Sequence, residues 1–430
     1  MATISPPKLP EDVSAAIVNP LAYGQWHDLK ERLRWARDNM PVALVEAEGY
    51  APFWAVTRHE DILAVSKDNT RFLNAPRSVV LAPVAVQMLT HMITGGSPHL
   101  VRSLVTLDAP EHMDYRKLTQ SWFMPKNLAS IKTRIRGIAR ASVDAMLATG
   151  GTCDFVAQVS ALYPLHVVMQ ILGVPDADEP LMLKLTQEMF GGEDPDLNRA
   201  RSANLNPEQI SQLVIDAVRD FEGYFSKLAA QRRADPRDDV ASIVANAVID
   251  GQPISDRNAA GYYIILAAAG HDTTSASTAG AMWALANDPD QFARIKADRS
   301  LLPGLIEEAI RWTTPVQHFM RTAAEDCEIA GQKIAKDDWL MLCYISGNYD
   351  ERVFADPDRF DATRGPNRHV AFGAGVHQCL GLHLARLEMR ILFDELLDRI
   401  DSVELTGTPQ RSSSTFVGGP KTLPIRFASA

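Results

Sequence analysis

Cysteine is scarce in this chain. There are four in 430 residues, at positions 153, 327, 343 and 379, and no two form a CxxC pair. That spacing excludes a disulfide framework or a structural zinc site as the organising device, and a reducing cytoplasm is the compartment that fits. Long apolar runs are missing too: "GYYIILAAAG" and "SVVLAPVAVQML" fall short of the about 20 residues a membrane span requires. The start, "MATISPPKLPEDV", has prolines and acids where a secretory leader has a basic start and an apolar stretch. Positive charge is in deficit, 43 Lys and Arg against 53 Asp and Glu, which argues against wholesale nucleic-acid binding. Internal repeats, low-complexity tracts and Gly/Ser linkers are absent. No GxGxxG opens a helix after a strand, so no flavin or nicotinamide segment is expected in the chain itself.

What is present is apolar content of 46%, enough for a large core, and we expect one domain over residues 1–430. "APFWAVTRHEDILAVS" reads as strand, turn and helix. From Glu111 onward, "MDYRKLTQSWF", "LASIKTRIRGIARASVDAML", "DFVAQVSALYPLHVVMQILGV" and "QISQLVIDAVRDFEGYFSKLAAQRRAD" carry apolar residues at helical spacing. "RNAAGYYIILAAAGHDTTSASTAGAMWALANDP" is a helix pattern of roughly 30 residues, apolar nearly all round, and so belongs in the middle of the fold. Short strands are expected in "DCEIAGQKIAKDDWLMLCY", "SVELTG" and "PIRFA". The balance is mainly α with a small β-rich portion.

One stretch carries a specific chemical signal: "HVAFGAGVHQCLGLHLARLEMRILFDELL". Gly373 and Gly375 allow a sharp loop that can approach a flat object closely. Cys379 follows, at the mouth of a helix read from Leu380 onward, where free N–H groups and the helix dipole favour a thiolate. A lone cysteine is ordinarily a small buried hydrophobe. The full pattern of Phe372, Gly373, His377, Cys379 and Gly381 points instead to a metal held by one sulfur.

This pattern resembles the haem-binding loop of the cytochrome P-450 haem-thiolate monooxygenases. The resemblance runs over essentially the whole chain and is to the soluble bacterial class, its terpineol-oxidising members in particular. It implies the P-450 fold, a large helical portion with a small β-rich subdomain and haem b between the long central helix and the cysteine loop. It makes Cys379 the iron ligand, whose electron donation favours O–O cleavage. "AGHDTT" becomes an oxygen-activation kink on the distal side, with Gly270 opening space, Thr273 hydrogen-bonding there and Asp272 relaying protons. On residues alone, Thr273 back-bonding to its own helix is the alternative. Glu308 and Arg311, three apart on one helix face, become a buried structural trio with Arg364. His112, Arg116, Arg321 and His377 match positions that hold the haem propionates.

The same layout implies a substrate pocket lined by the segment Val79 to Ile93, by Ile264, Ile265, Ala268 and Ala269, by Val316 to Phe319, and by Thr415, Phe416 and Val417. These positions are largely apolar, which implies a small cyclic substrate, a monoterpene, terpene alcohol or alkyl-aromatic. Gln317 and His318 are open between contacting a hydroxyl and facing solvent. The partners implied are an iron–sulfur ferredoxin and its NAD(P)H-dependent reductase, with no nucleic acid and no membrane. Arg116, Lys117, Lys126 and Arg368 form a candidate basic docking face. Two other readings are weighed. A peroxygenase using H2O2 has less need of Asp272 and Thr273, and a non-catalytic haem sensor has no need of an intact relay.

Overall fold

The N-terminal third lays down strands before the helical run begins. A computed structural model describes residues 6–202 and 204–430. Strands β1 (Val42–Val45) and β2 (Phe53–Val56) pair antiparallel, Val42 opposite Val56, and β3 (Phe72–Leu73) follows helix His59–Lys67. Next come helices α1 (Val84–Ile93), α2 (Glu111–Gln120) and α3 (Pro125–Leu147), then β4 (Thr152–Asp154). Helices α4 (Tyr163–Leu172), α5 (Glu179–Phe190) and α6 (Pro207–Ala234) lead to α7 (Asp256–Asn287) and α8 (Leu302–Thr313). Strands β5 (Phe319–Ala323) and β6 (Trp339–Leu342) precede α9 (Leu382–Arg399). The tail holds β7 (Ile400–Leu405), β8 (Gln410–Arg411), β9 (Pro420–Thr422) and β10 (Pro424–Ser429).

The main sheet has the order β1-β2-β6-β5-β3, with β2 and β6 parallel, so residues far apart in sequence share one surface. A second sheet, β7-β10-β4, closes the tail onto the helical body. The result is mainly α with a β-rich part, as the sequence pattern predicts. No helix among the described residues is long and apolar enough to cross a membrane.

The local chemistry explains the boundaries. Asn206 and Gln209 cap α6 reciprocally, each side chain accepting the other's backbone N–H at 2.9 Å. Ser255 opens α7 by accepting from Asn258 N–H. Helix α7 then runs 32 residues without a break, buried on nearly every side. One segment departs from the expected single helix: "DFVAQVSALYPLHVVMQILGV" divides into a π-helical turn, Val156–Ser160, and α4. Pro164 is the cause, because its missing N–H and fixed φ suit the first turn of a new helix rather than the interior of an old one.

Candidate active site

The cysteine loop is built from the backbone inward. Gly373 and Gly375 hold φ of +63° and +72°, a region costly for any other residue. At Gly375 a Cβ would also come within 2.6 Å of the Ser66 carbonyl, so the loop packs directly on the end of helix His59–Lys67. The Cys379 N–H donates to the Phe372 carbonyl at 2.8 Å, closing the turn. Helix α9 begins at Leu382, not Leu380, so Cys379 precedes its cap, Gly381. The N–H groups of Gly381 and Leu382 and the charges of Arg116 and Arg386 favour the thiolate; burial, the larger effect, pushes the thiol up. A bound metal cation is the group that would reverse that balance. Cys379 is packed among protein on all sides yet accessible, which makes it the wall of an internal space.

A second accessible strip lies on α7. Ile265, Ala269 and Thr273 recur every four residues and are accessible, although they sit in the middle of a largely buried helix. Ile264 and Ala268 are 0% exposed, so these two expected lining residues face protein instead. The reason is phase: a helix apolar all round gives no stripe from which to read its open side. Gly270 is corrected too. A Cβ there would meet Val168 Cγ2 at 2.8 Å, so this glycine serves close packing of α4 rather than opening space at the site. Thr273 donates to the Ala269 carbonyl at 2.8 Å within an unbroken helix, which is the back-bonded alternative. Its oxygen keeps acceptor capacity. Asp272 turns Oδ1 to within 3.5 Å of His271 Nδ1, while Oδ2 is buried without a protein partner.

His112, Arg116, Arg321 and His377 come together from α2, β5 and the cysteine loop. The rings of His112 and His377 are in contact, tilted by 50° with centroids 4.2 Å apart. Burial and the charges of Arg321, His112 and Arg116 hold His377 down at about 2, and burial with Arg116 lowers His112. Among the described residues, neither Arg116 nor Arg321 has a carboxylate partner, and His112 Nδ1 is buried and unpartnered. Asp108, the nearby acid, is spent on the backbone N–H groups of Asn74 and Ala75. Cations gathered inside a protein without acids need an anionic ligand. The donor set thus fits a flat, metal-bearing group with two carboxylates. Arg116 faces inward, which removes it from the expected basic docking face; Lys117, Lys126 and Arg368 are exposed, Lys117 beside Asp114 at 3.3 Å.

The proximal trio is present. Glu308 and Arg311 are fully buried, joined by two bonds of 2.8 Å, and Arg364 Nε reaches both oxygens of Glu308 at 3.0 and 3.1 Å. Sequence reasoning missed a second brace beside it. Glu307 binds Arg386 at 2.8 Å and His369 at 3.1 Å, and these donors hold its carboxyl down at about 2 against burial. Arg386 in turn lies over the Phe372 ring at 4.7 Å.

The remaining pocket residues come from two segments tied to each other. The Gln317 N–H donates to the Phe416 carbonyl, and Val316 bridges Val417. Val316, Phe319 and Phe416 are half-buried, with Phe319 and Phe416 edge to face at 5.3 Å. Gln317 and His318 are 1% exposed and face neither solvent nor the pocket's open side. Gln317 donates to the Ser414 carbonyl. His318 Nδ1–H donates to the Thr415 carbonyl and Nε2 accepts the Leu81 N–H, fixing one neutral tautomer. Val79, Thr415 and Val417 are buried, while α1 buries none of its residues. A separate cavity of about 320 Å³ lies between the end of α1, α6 and the start of α7, and of the expected pocket residues only Ile93 lines it.

Comparison with known proteins agrees with this geometry. The family described as Cytochrome P450 matches residues 88–423. The chain is 44% identical to Cytochrome P450-terp of a Pseudomonas species, over 98% of this chain and 99% of that one. It is 35% identical to linalool 8-monooxygenase of Pseudomonas putida, over 95% and 97%. The crystal structure of CYP108D1 from Novosphingobium aromaticivorans superposes with a TM-score of 0.91 at 58% identity, covering 99% of this chain and 100% of that one.

Proposed function

The chain belongs to the cytochrome P450 family, and on that premise we propose that it hydroxylates a small, cyclic, hydrophobic substrate with electrons supplied by a ferredoxin. As a P450 it is a haem-iron monooxygenase, an oxidoreductase that inserts one atom of O2 into its substrate. The haem is proposed to be haem b, with Cys379 as its ligand and His112, Arg116, Arg321 and His377 on its propionates. When bound, that group supplies the iron at which O2 is reduced and cleaved. The observation that carries this assignment is the cluster of buried His112 and Arg321 with half-buried Arg116 and His377, in which neither arginine has a carboxylate partner among the described residues, beside the accessible Cys379.

The chain's own residues account for positioning and proton supply. Asp272 presents an unpartnered oxygen, Oδ2, on the distal wall, where a carboxylate can take a proton from water and pass it on. The Thr273 hydroxyl, anchored on Ala269, offers its oxygen lone pairs toward the same space. Ile265, Ala269, Val316, Phe319 and Phe416 form an apolar wall that excludes water and selects by shape. Among the expected pocket residues no Arg or Lys stands ready for a carboxylate, and the two polar ones are spent on the backbone. The names of the terpene-linked relatives point the same way. No nicotinamide or flavin motif is present in the chain, so the two electrons are assigned to a ferredoxin with an NAD(P)H-dependent reductase, docking through Lys117, Lys126 and Arg368.

The test is a titration of purified holoprotein followed by the haem's spin-state absorbance shift. Terpineol, limonene, cymene and cyclohexylbenzene are expected to shift it, and long fatty acids and a steroid to leave it unchanged. A large shift with the steroid or fatty acids, and none with the small rings, overturns the substrate class.

A further inference from the structure

His271 lies between the small pair Ala269–Gly270 and Asp272, and no role above uses it. Its ring is 1% exposed, enclosed by α7, α5 and the residues that lead into α4. Nε2 stands 2.8 Å from the Ala161 carbonyl, and Nδ1 stands 3.0 Å from Thr186 Oγ1 and 3.5 Å from Asp272 Oδ1. A carbonyl can only accept, so Nε2 carries a hydrogen. Thr186 Oγ1 has one hydrogen and two acceptors within reach, the Leu183 carbonyl and His271 Nδ1, both at 3.0 Å. Given to the carbonyl, it leaves the hydroxyl to accept, and Nδ1, which also faces the Asp272 carboxylate at 3.5 Å, then carries a hydrogen as well. An imidazole with both nitrogens protonated is a cation.

We propose that His271 is a buried imidazolium that pairs with Asp272 and orients it, tying the relay carboxylate to α5. This rests on the reading of Asp272 as the proton relay. A cation so enclosed needs a counter-charge, and Asp272 is the one charged group acting on the ring; α5 presents Thr186 and the lead into α4 presents a carbonyl, neither ionisable. Proximity to Asp272 raises the imidazole's proton affinity against burial, in the same direction. The pairing occupies Oδ1 and leaves Oδ2 for water, so one oxygen fixes the carboxylate while the other exchanges protons. Helix α5 also ends in Phe190, whose ring lies 5.9 Å from Phe416 on the pocket wall. The same helix thus touches the substrate wall at its end and the relay through Thr186. His271 is a positioning residue, acting through Asp272.

The experiment uses holoprotein with ¹⁵N-labelled histidine, reduced and saturated with carbon monoxide so that the iron is diamagnetic. The His271 ring signals are identified by their loss in His271→Asn, or by their shift in Thr186→Val should the first variant not fold. Both ring nitrogens are expected to be protonated at pH 7.5, and Asp272→Asn is expected to lower the pH of deprotonation by about one unit or more. A ring nitrogen without a proton at pH 7, or no change in Asp272→Asn, overturns the proposal. The relay reading is judged separately. If Asp272→Asn turns over at the wild-type rate without extra peroxide while the imidazolium is observed, the relay fails and the ion pair stands.

Discussion

Glu308→Gln isolates the contribution of the proximal ion network. Glu308 is 0% exposed and accepts from Arg311 Nε and Nη2, Arg364 Nε, Asn367 Nδ2 and the Asp361 N–H, all between 2.8 and 3.1 Å. The amide keeps the shape but removes the charge and turns an acceptor into a donor against guanidinium groups. Arg311, also 0% exposed, is then a buried cation without its counter-ion. Breaking a buried pair in this way costs about 3–5 kcal/mol. At about 2.1 cal/mol/K per residue, a chain of 430 residues has an unfolding entropy of about 0.9 kcal/mol/K, so the midpoint is expected to fall by about 3–6 °C. The control is Glu404→Gln, which breaks the Arg426–Glu404 pair of 2.8 Å. Both its side chains are about 60% exposed, and a pair of that kind contributes little or nothing measurable. Calorimetry of both holoproteins at pH 7 and one scan rate reads the difference. A Glu308→Gln midpoint within 1 °C of wild type, or no lower than that of Glu404→Gln, refutes the reasoning.

Thr273→Ala is expected to consume reductant at a rate near wild type while releasing several times more peroxide, read by a peroxide assay against product formed. Unchanged coupling would remove the Thr273 hydroxyl from the mechanism. Arg116→Ala is expected to speed haem transfer to an acceptor apoprotein by about tenfold or more, the equivalent of one charge-assisted hydrogen bond; an unchanged rate would place Arg116 off the propionates. His318 carries a pH signature. Burial lowers its proton affinity from the ordinary 6.5 to about 4. Below pH 6.5 the unfolded chain binds a proton that the folded one refuses, so stability falls as pH drops from 6.5 to 4, by roughly 3 kcal/mol from this group. Denaturant melts across that range are expected to be flatter by that amount in His318→Gln, and parallel curves would contradict the assignment.

The cysteine loop was legible because its chemistry is local: two glycines, a cysteine and a helix start lie within ten residues. Glu308 and Arg311 were legible for a related reason, since i, i+3 spacing on a helix guarantees a shared face. Other features have no one-dimensional signature. A helix that is apolar all round hides its phase, so Ala268 and Ala269 could not be told apart until the fold placed one against protein and the other at the site. Gln317 and His318 occupy a turn, where no periodicity says which way a side chain points; here the loop between β8 and β9 supplies the carbonyls that capture them. Arg116 read both as a propionate residue, by resemblance, and as part of a basic docking face, because nothing in α2 alone says whether the β5 arginine and the cysteine loop will fold over it. The brace of Glu307, His369 and Arg386 joins three separate segments and exists only in three dimensions.

The engagement of the buried carboxylates divides the site into two halves with different tasks. On the proximal side, Glu308 and Glu307 draw in Arg311, Arg364, Arg386, Asn367 and His369, and both carboxylates are fully engaged. Carboxylates held by so many cations resist rearrangement, because moving one strands a buried charge. That rigidity is what a sulfur ligand requires, since its position sets the metal's. On the distal side the carboxylate is less engaged: Asp272 Oδ2 is buried and unpaired, and Thr273 holds only its own helix. Unpaired buried groups cost stability and persist where a ligand or water will meet them. The fold can carry that cost because the proximal half is tied down independently, by contacts that share no residue with Asp272, Thr273 or the pocket wall. Substrate range can therefore drift through Val316, Phe319 and Phe416 while the metal's setting stays fixed.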